Sequence, residues 1–139
     1  MNIFENHFKE IENLVLKNKS HLNLNNIDNL KNVSLEIPPS QFNFDLSCNI
    51  AMVLGKSNKL NPNDLAQKLK KLFLDGIENF ADIEIAGPGF INIKLSNSAL
   101  IKNINLILEN NKMYGSFNSN KTYNIEFVSA NPTGPMHVG

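Results

Sequence analysis

Ile83-Glu-Ile-Ala-Gly-Pro-Gly-Phe-Ile-Asn-Ile-Lys-Leu95 is the stretch on which the fold turns. Ile83 and Ile85 flank Glu84, Phe90 to Leu95 alternates again, and Gly87-Pro88-Gly89 between them reverses the chain, which predicts an antiparallel hairpin. A period of two sets Ile91, Ile93 and Leu95 on one face of the second strand and Phe90, Asn92 and Lys94 on the other. The first face is core. The second carries a ring, a carboxamide and an ammonium in a row, groups that can stack a base, bond its edge and neutralise a phosphate. The same pattern also fits a ring tucked under the turn with Asn92 and Lys94 in water, and periodicity does not decide between the two.

Working outward, helices surround the hairpin. Asn61-Pro62-Asn63-Asp64 reads as a helix start, with Asn61 as cap, Pro62 at the first position and Asp64 facing the dipole. Leu65, Leu69, Leu72 and Phe73 supply its buried stripe and Gly76 ends it. Upstream, Phe4, Phe8, Ile11 and Val15 share one face of a helix from Ile3 to Leu16. Val33, Leu35 and Ile37 alternate as a short strand closed by Pro38-Pro39. Asp45 to Leu54 reads as a compact helix capped by Asp45, with Gly55 as a left-handed stop. Downstream, Ser96 or Asn97 caps a helix whose Leu100, Ile104, Ile107 and Leu108 line one face, and Lys112 to Asn120 marks a domain boundary. Short antiparallel strands among helices make the fold α+β.

The chain has 139 residues, 42% of them hydrophobic, enough for one cored domain and a short extension. Thirteen lysines balance thirteen acids, with no arginine, so no global field draws the chain to nucleic acid and any RNA contact is local. Lys56, Lys59, Lys68, Lys70 and Lys71 cluster in sequence, either as a phosphate-facing patch beside the hairpin or as a solvated helix face. Cys48 stands alone, which excludes a disulfide framework or a cysteine-based metal site within the chain and fits a reducing, cytoplasmic setting. No apolar run reaches the length of a membrane span, so a soluble protein without a membrane partner is expected.

Toward the end, Tyr123, Ile125 and Phe127 alternate with Asn124, Glu126 and Val128, predicting a strand with a carboxylate inside it. Such a group needs a cationic partner or a place at the carboxyl edge of a sheet, where ligands of α/β folds sit. Ser129-Ala-Asn131-Pro-Thr-Gly-Pro135 offers polar groups on a backbone stiffened by prolines. Met136-His-Val-Gly139 then enters a helix whose N-terminal end favours phosphate. His137 can donate to triphosphate oxygens, and Gly139 leaves room for a flat base.

Glu126, Ser129, Asn131, Pro132, Gly134, His137 and Gly139, in that order, resemble the signature of bacterial arginyl-tRNA synthetases, class I enzymes whose motif ends in His-x-Gly-His. The likeness continues upstream. Asp45-Leu-Ser-Cys-Asn49-Ile-Ala-Met resembles the family's Gly-Asp-x-x-x-Asn segment, with Phe44 in place of its glycine, and Ala86 to Ile93 resembles its accessory hairpin. The resemblance implies that residues 1–115 form the N-terminal additional domain, a small antiparallel sheet packed by helices, and that residues 116–139 open a Rossmann-type catalytic domain of which only the first strand is present.

By the same resemblance, Phe90 and Asn92 meet a base of the tRNA D-loop and Glu126 holds the guanidinium of arginine. Ser129 and Asn131 surround its polar end, His137 serves the ATP phosphates as a catalytic residue, and Gly139 faces adenine. The implied activity is that of an arginine-tRNA ligase: ATP-dependent formation of arginyl-adenylate, then transfer to tRNA-Arg. ATP would enter as substrate with magnesium, no protein-bound metal is expected, and the full enzyme is expected to be a monomer. The second signature histidine and most of the catalytic machinery lie outside these 139 residues, so the chain alone is not expected to activate arginine. The alternative reading is a stand-alone tRNA-binding module without catalysis.

Overall fold

The computed structural model describes residues 3–116 and 121–126. Among them, β3 (Phe80–Ala86) and β4 (Phe90–Leu95) form the expected hairpin, and β2 (Leu46–Cys48) and β1 (Leu35–Glu36) extend it into an antiparallel sheet of order β1-β2-β4-β3. The hairpin turn needs glycine at both ends: Gly87 has φ +52 and Gly89 φ +119. A Cβ on Gly89 would also lie 3.2 Å from the carbonyl of Pro62, so the turn is pressed onto the start of the neighbouring helix.

One face of the sheet is dry. Leu46 and Cys48 of β2, Ile83 of β3 and Ile91, Ile93 and Leu95 of β4 point into a core with Leu65, Leu69 and Phe73 of α3 (Pro62–Gly76) and Ile50 and Leu54 of α2 (Ile50–Asn58). Phe73 meets Phe80 edge to face, ring centres 6.4 Å apart. Asn61 caps α3 as expected, its side chain accepting the N–H groups of Asn63 and Asp64.

Several expectations give way. The stretch from Asp45 to Leu54 is not one helix: Leu46–Cys48 is a strand, because each residue has a partner on β4, and the helix begins only at Ile50. Asp45 is therefore not a helix cap. Asn49 stands at the start of α2, but its Oδ1 accepts the N–H of Ser34 at 2.9 Å instead of capping the helix. Gly55 lies inside α2, where a Cβ would come within 3.1 Å of the carbonyl oxygen of Leu60 and 3.3 Å of Pro62, and the left-handed residue is Lys59 at φ 55. The upstream strand shrinks to Leu35–Glu36, with Ile37 75% exposed.

In α1 (Ile3–Lys17) the buried stripe is His7, Ile11 and Val15, with Phe4 and Phe8 only half buried. His7 goes inward because Glu10 bonds its Nδ1 at 2.8 Å and Phe80 packs on its ring. In α4 (Asn97–Asn110), capped by Ser96 as expected, the apolar stripe is not covered: Leu100, Ile104, Ile107 and Leu108 are exposed, and Ala99 is the one residue of the helix that is buried. Residues 121–126 are exposed and carry no regular structure, so the strand expected from Tyr123 is not formed over the described residues.

Candidate nucleic-acid interface

The second face of the sheet is polar and open. Register places Glu36 opposite Ser47, Ser47 opposite Asn92 and Asn92 opposite Glu84, so these four side chains form a row across the strands. Phe90 and Lys94 flank Asn92 on the same face, as the alternation required.

A cavity of about 600 Å³ lies over this row. Ser47 and Asn92 form its floor. On one side stand Glu36 and the following loop through Pro38, Pro39 and Phe42, and on the other Ala86, Gly87, Pro88 and Phe90. Its lining is mostly apolar, with a few polar groups, the usual make-up of a site for a small organic ligand. Phe90 is 39% exposed, so its ring is available, while Asn92 is only 2% exposed. Among the described residues nothing bonds the Nδ2 of Asn92. A buried amide left unpaired costs about 1–3 kcal/mol, and a half-turn about its last bond exchanges oxygen and nitrogen, so it can give or take a bond at the cavity floor. Phe90 and Asn92 are thus brought together on one groove.

Lys94 is not free to meet a phosphate. Its ammonium lies 3.3 Å from Asp45 and 3.2 Å from the Oδ1 of Asn43. The other lysines do not form a patch beside the hairpin either. Lys68 and Lys71 lie on the exposed side of α3, which covers the opposite, dry face of the sheet, with Asp64 and Asp75 on either side of them in sequence, and Lys70 is half-buried on the same helix. Lys56 and Lys59 sit at the end of α2.

Glu126 is described and exposed. Phe127, Val128, Ser129, Asn131, His137 and Gly139 lie outside the described residues. Among the described residues no group of three or more metal-ligating side chains occurs, and no helix is long and apolar enough to cross a membrane. Sequence reasoning missed the loop wall of the groove, because Pro38, Pro39 and Phe42 share a cavity with Phe90 only through the pairing of β2 with β4.

Residues 8–95, from α1 to the end of β4, match the family model of the arginyl tRNA synthetase N terminal domain. The chain belongs to this family. Similar curated proteins are arginine-tRNA ligases: that of Pelagibacter ubique (strain HTCC1062) is 45% identical over 144 residues, covering 100% of this chain and 24% of the relative. That of Rickettsia bellii (strain OSU 85-389) is 43% identical over 117 residues, covering 83% and 20%. That of Bartonella quintana (strain Toulouse) is 41% identical over 145 residues, covering 100% and 24%. The chain thus spans about a quarter or less of the length of these arginine-tRNA ligases. The groove of Phe90 and Asn92 lies wholly within the matched synthetase domain.

Proposed function

We propose that this chain is the N-terminal portion of an arginine-tRNA ligase, residues 1–115 forming the tRNA-contacting domain, and that the groove receives a base of the tRNA D-loop. The observation that carries the reading is the pairing, in one cavity, of an exposed ring at Phe90 with a buried carboxamide at Asn92 whose Nδ2 has no partner among the described residues. A ring supplies stacking to any base, and an amide at the floor reads a base edge. The balanced charge of the chain agrees with a local contact through a base in place of a broad phosphate grip.

The test is a titration of the 139-residue chain with a tRNA-Arg transcript at low salt. Phe90→Ala should cost about 1–3 kcal/mol of binding, the value of a lost base stack. An unchanged affinity would remove the groove from the interface.

In the complete ligase, Glu126 would take the guanidinium of arginine in a charge-assisted pair. Ser129 and Asn131 would face its polar end, and His137 and Gly139 would serve the ATP phosphates and adenine, with magnesium arriving on the nucleotide. Glu126→Gln in that enzyme should weaken arginine far more than ATP. Equal losses for both would refute the guanidinium role.

A further inference from the structure

The clasp at Lys94 has a second partner set that explains its position. Asp45 spends one oxygen on Lys94 and the other on the N–H of Leu95 at 2.8 Å, and its own N–H donates to the carbonyl of Ile93 at 3.0 Å. Asn43 and Asp45 both lie on the connection from β1 to β2, so this connection is fastened to β4 at its far end. Between β1 and the clasp, Pro38, Pro39 and Phe42 make the bank of the groove that faces Phe90. The N–H of Phe42 donates to the carbonyl of Pro39 at 2.9 Å, closing a turn on a segment already stiffened by two prolines.

We propose that Phe42 is the second contact surface for the base, opposite Phe90, and that Lys94 is a positioning residue that holds the bank carrying it. The inference rests on the reading of the groove as a base site. A base stacked on Phe90 alone would leave its other face in water, whereas two apolar banks bury both faces. Lys94 and Asp45 are 36% and 29% exposed at their side chains, and an ion pair so open to solvent adds little to stability. Its effect should therefore appear in binding before it appears in melting.

The chain is titrated with the tRNA-Arg transcript as wild type and as Phe90→Ala, Phe42→Ala, Phe42→Leu, Phe42→Tyr, Lys94→Met, Lys94→Arg and the double variant Lys94→Met with Phe42→Ala, each checked by its melting temperature. Phe42→Ala should lose roughly 5- to 100-fold in affinity, Phe42→Leu should lose most of that, and Phe42→Tyr should stay within about twofold. Lys94→Met should lose about threefold or more with its melting temperature nearly unchanged, and Lys94→Arg should restore binding. Because Lys94 acts through the loop, the double variant should bind no more weakly than Phe42→Ala alone.

Wild-type affinity in Phe42→Leu, with Phe90→Ala weakened, overturns the second surface and leaves the base site standing. Additive losses in the double variant, with the salt slope of Lys94→Met reduced by about 0.7–0.9, make Lys94 a phosphate contact and overturn the clasp. If Phe90→Ala is unchanged as well, the base-site reading itself fails.

Discussion

Asn58 and Asn26 hold each other twice: Oδ1 of Asn58 accepts the N–H of Asn26 at 2.7 Å, and Nδ2 of Asn58 donates to the carbonyl of Asn26 at 2.8 Å. The same side chain accepts from the N–H of Asn25 and donates to the carbonyl of Leu54, so one carboxamide ties the asparagine-rich segment to the end of α2. Asn58→Ala should lower the unfolding free energy by about 1–3 kcal/mol, measured by urea titration. No change would mean that the packing of Leu22, Leu24 and Leu30 and the bond from Asn29 to Ser57 anchor the segment without it.

At Asn92, stability and binding should part company. The buried amide nitrogen bonds nothing among the described residues, so Asn92→Leu, the same in heavy-atom count and branching though larger in volume, should change stability by no more than about 1 kcal/mol in either direction. The same variant should lose tRNA binding by about tenfold, since the floor of the groove no longer reads a base edge. A variant that melts well below wild type would show that the amide is satisfied in the folded protein.

The two glycines of the hairpin turn should differ in what they tolerate. Gly87 has φ +52 with no atom within 4 Å of a built Cβ, so Gly87→Ala should cost about 1 kcal/mol and Gly87→Asn less. Gly89, at φ +119 and against the backbone of Pro62, should cost about 2 kcal/mol or more on substitution by alanine. Equal losses in chemical denaturation would contradict the contact.

Cys48 is fully buried, and burial pushes its thiol from 9.0 up to about 12. The folded state thus keeps a proton that the unfolded state releases, and stability is lost as pH rises from about 9 toward about 12, at up to ~1.4 kcal/mol per unit. Comparing wild type with Cys48→Ala between pH 9 and 11 isolates this slope from that of the lysines. Identical slopes would exclude the shift. In the native state below pH 9 the thiol should resist alkylation and react only on unfolding.

Local signals in the chain carried much of the fold. The Asn61-Pro62 start, the Ser96 cap and the Gly87-Pro88-Gly89 turn each depend on a few neighbouring residues, and each formed as expected. What escaped was non-local. Leu46-Ser47-Cys48 is too short to show a period, and it is a strand only because β4 lies beside it. The stripe of α4 illustrates the reverse limit, since periodicity shows that Leu100, Ile104 and Ile107 share a side but not what covers it. For the same reason Phe90 and Asn92 could be placed on one face from alternation, while the opposing Phe42 bank and the engagement of Lys94 could not.

The strand order carries a further consequence, for the time course of folding. β3 and β4 meet across a three-residue turn, whereas β2 reaches β4 only after α2, α3 and β3 have been laid down between them. Closing that longer loop is the slower entropic step. Ser47 and Asn92, the floor of the groove, lie on either side of that seam. A refolding chain should therefore gain helix and hairpin before it gains affinity. Since the chain contains no tryptophan, a Phe42→Trp reporter in stopped-flow refolding can follow the groove alone, and its signal should lag the helical circular dichroism.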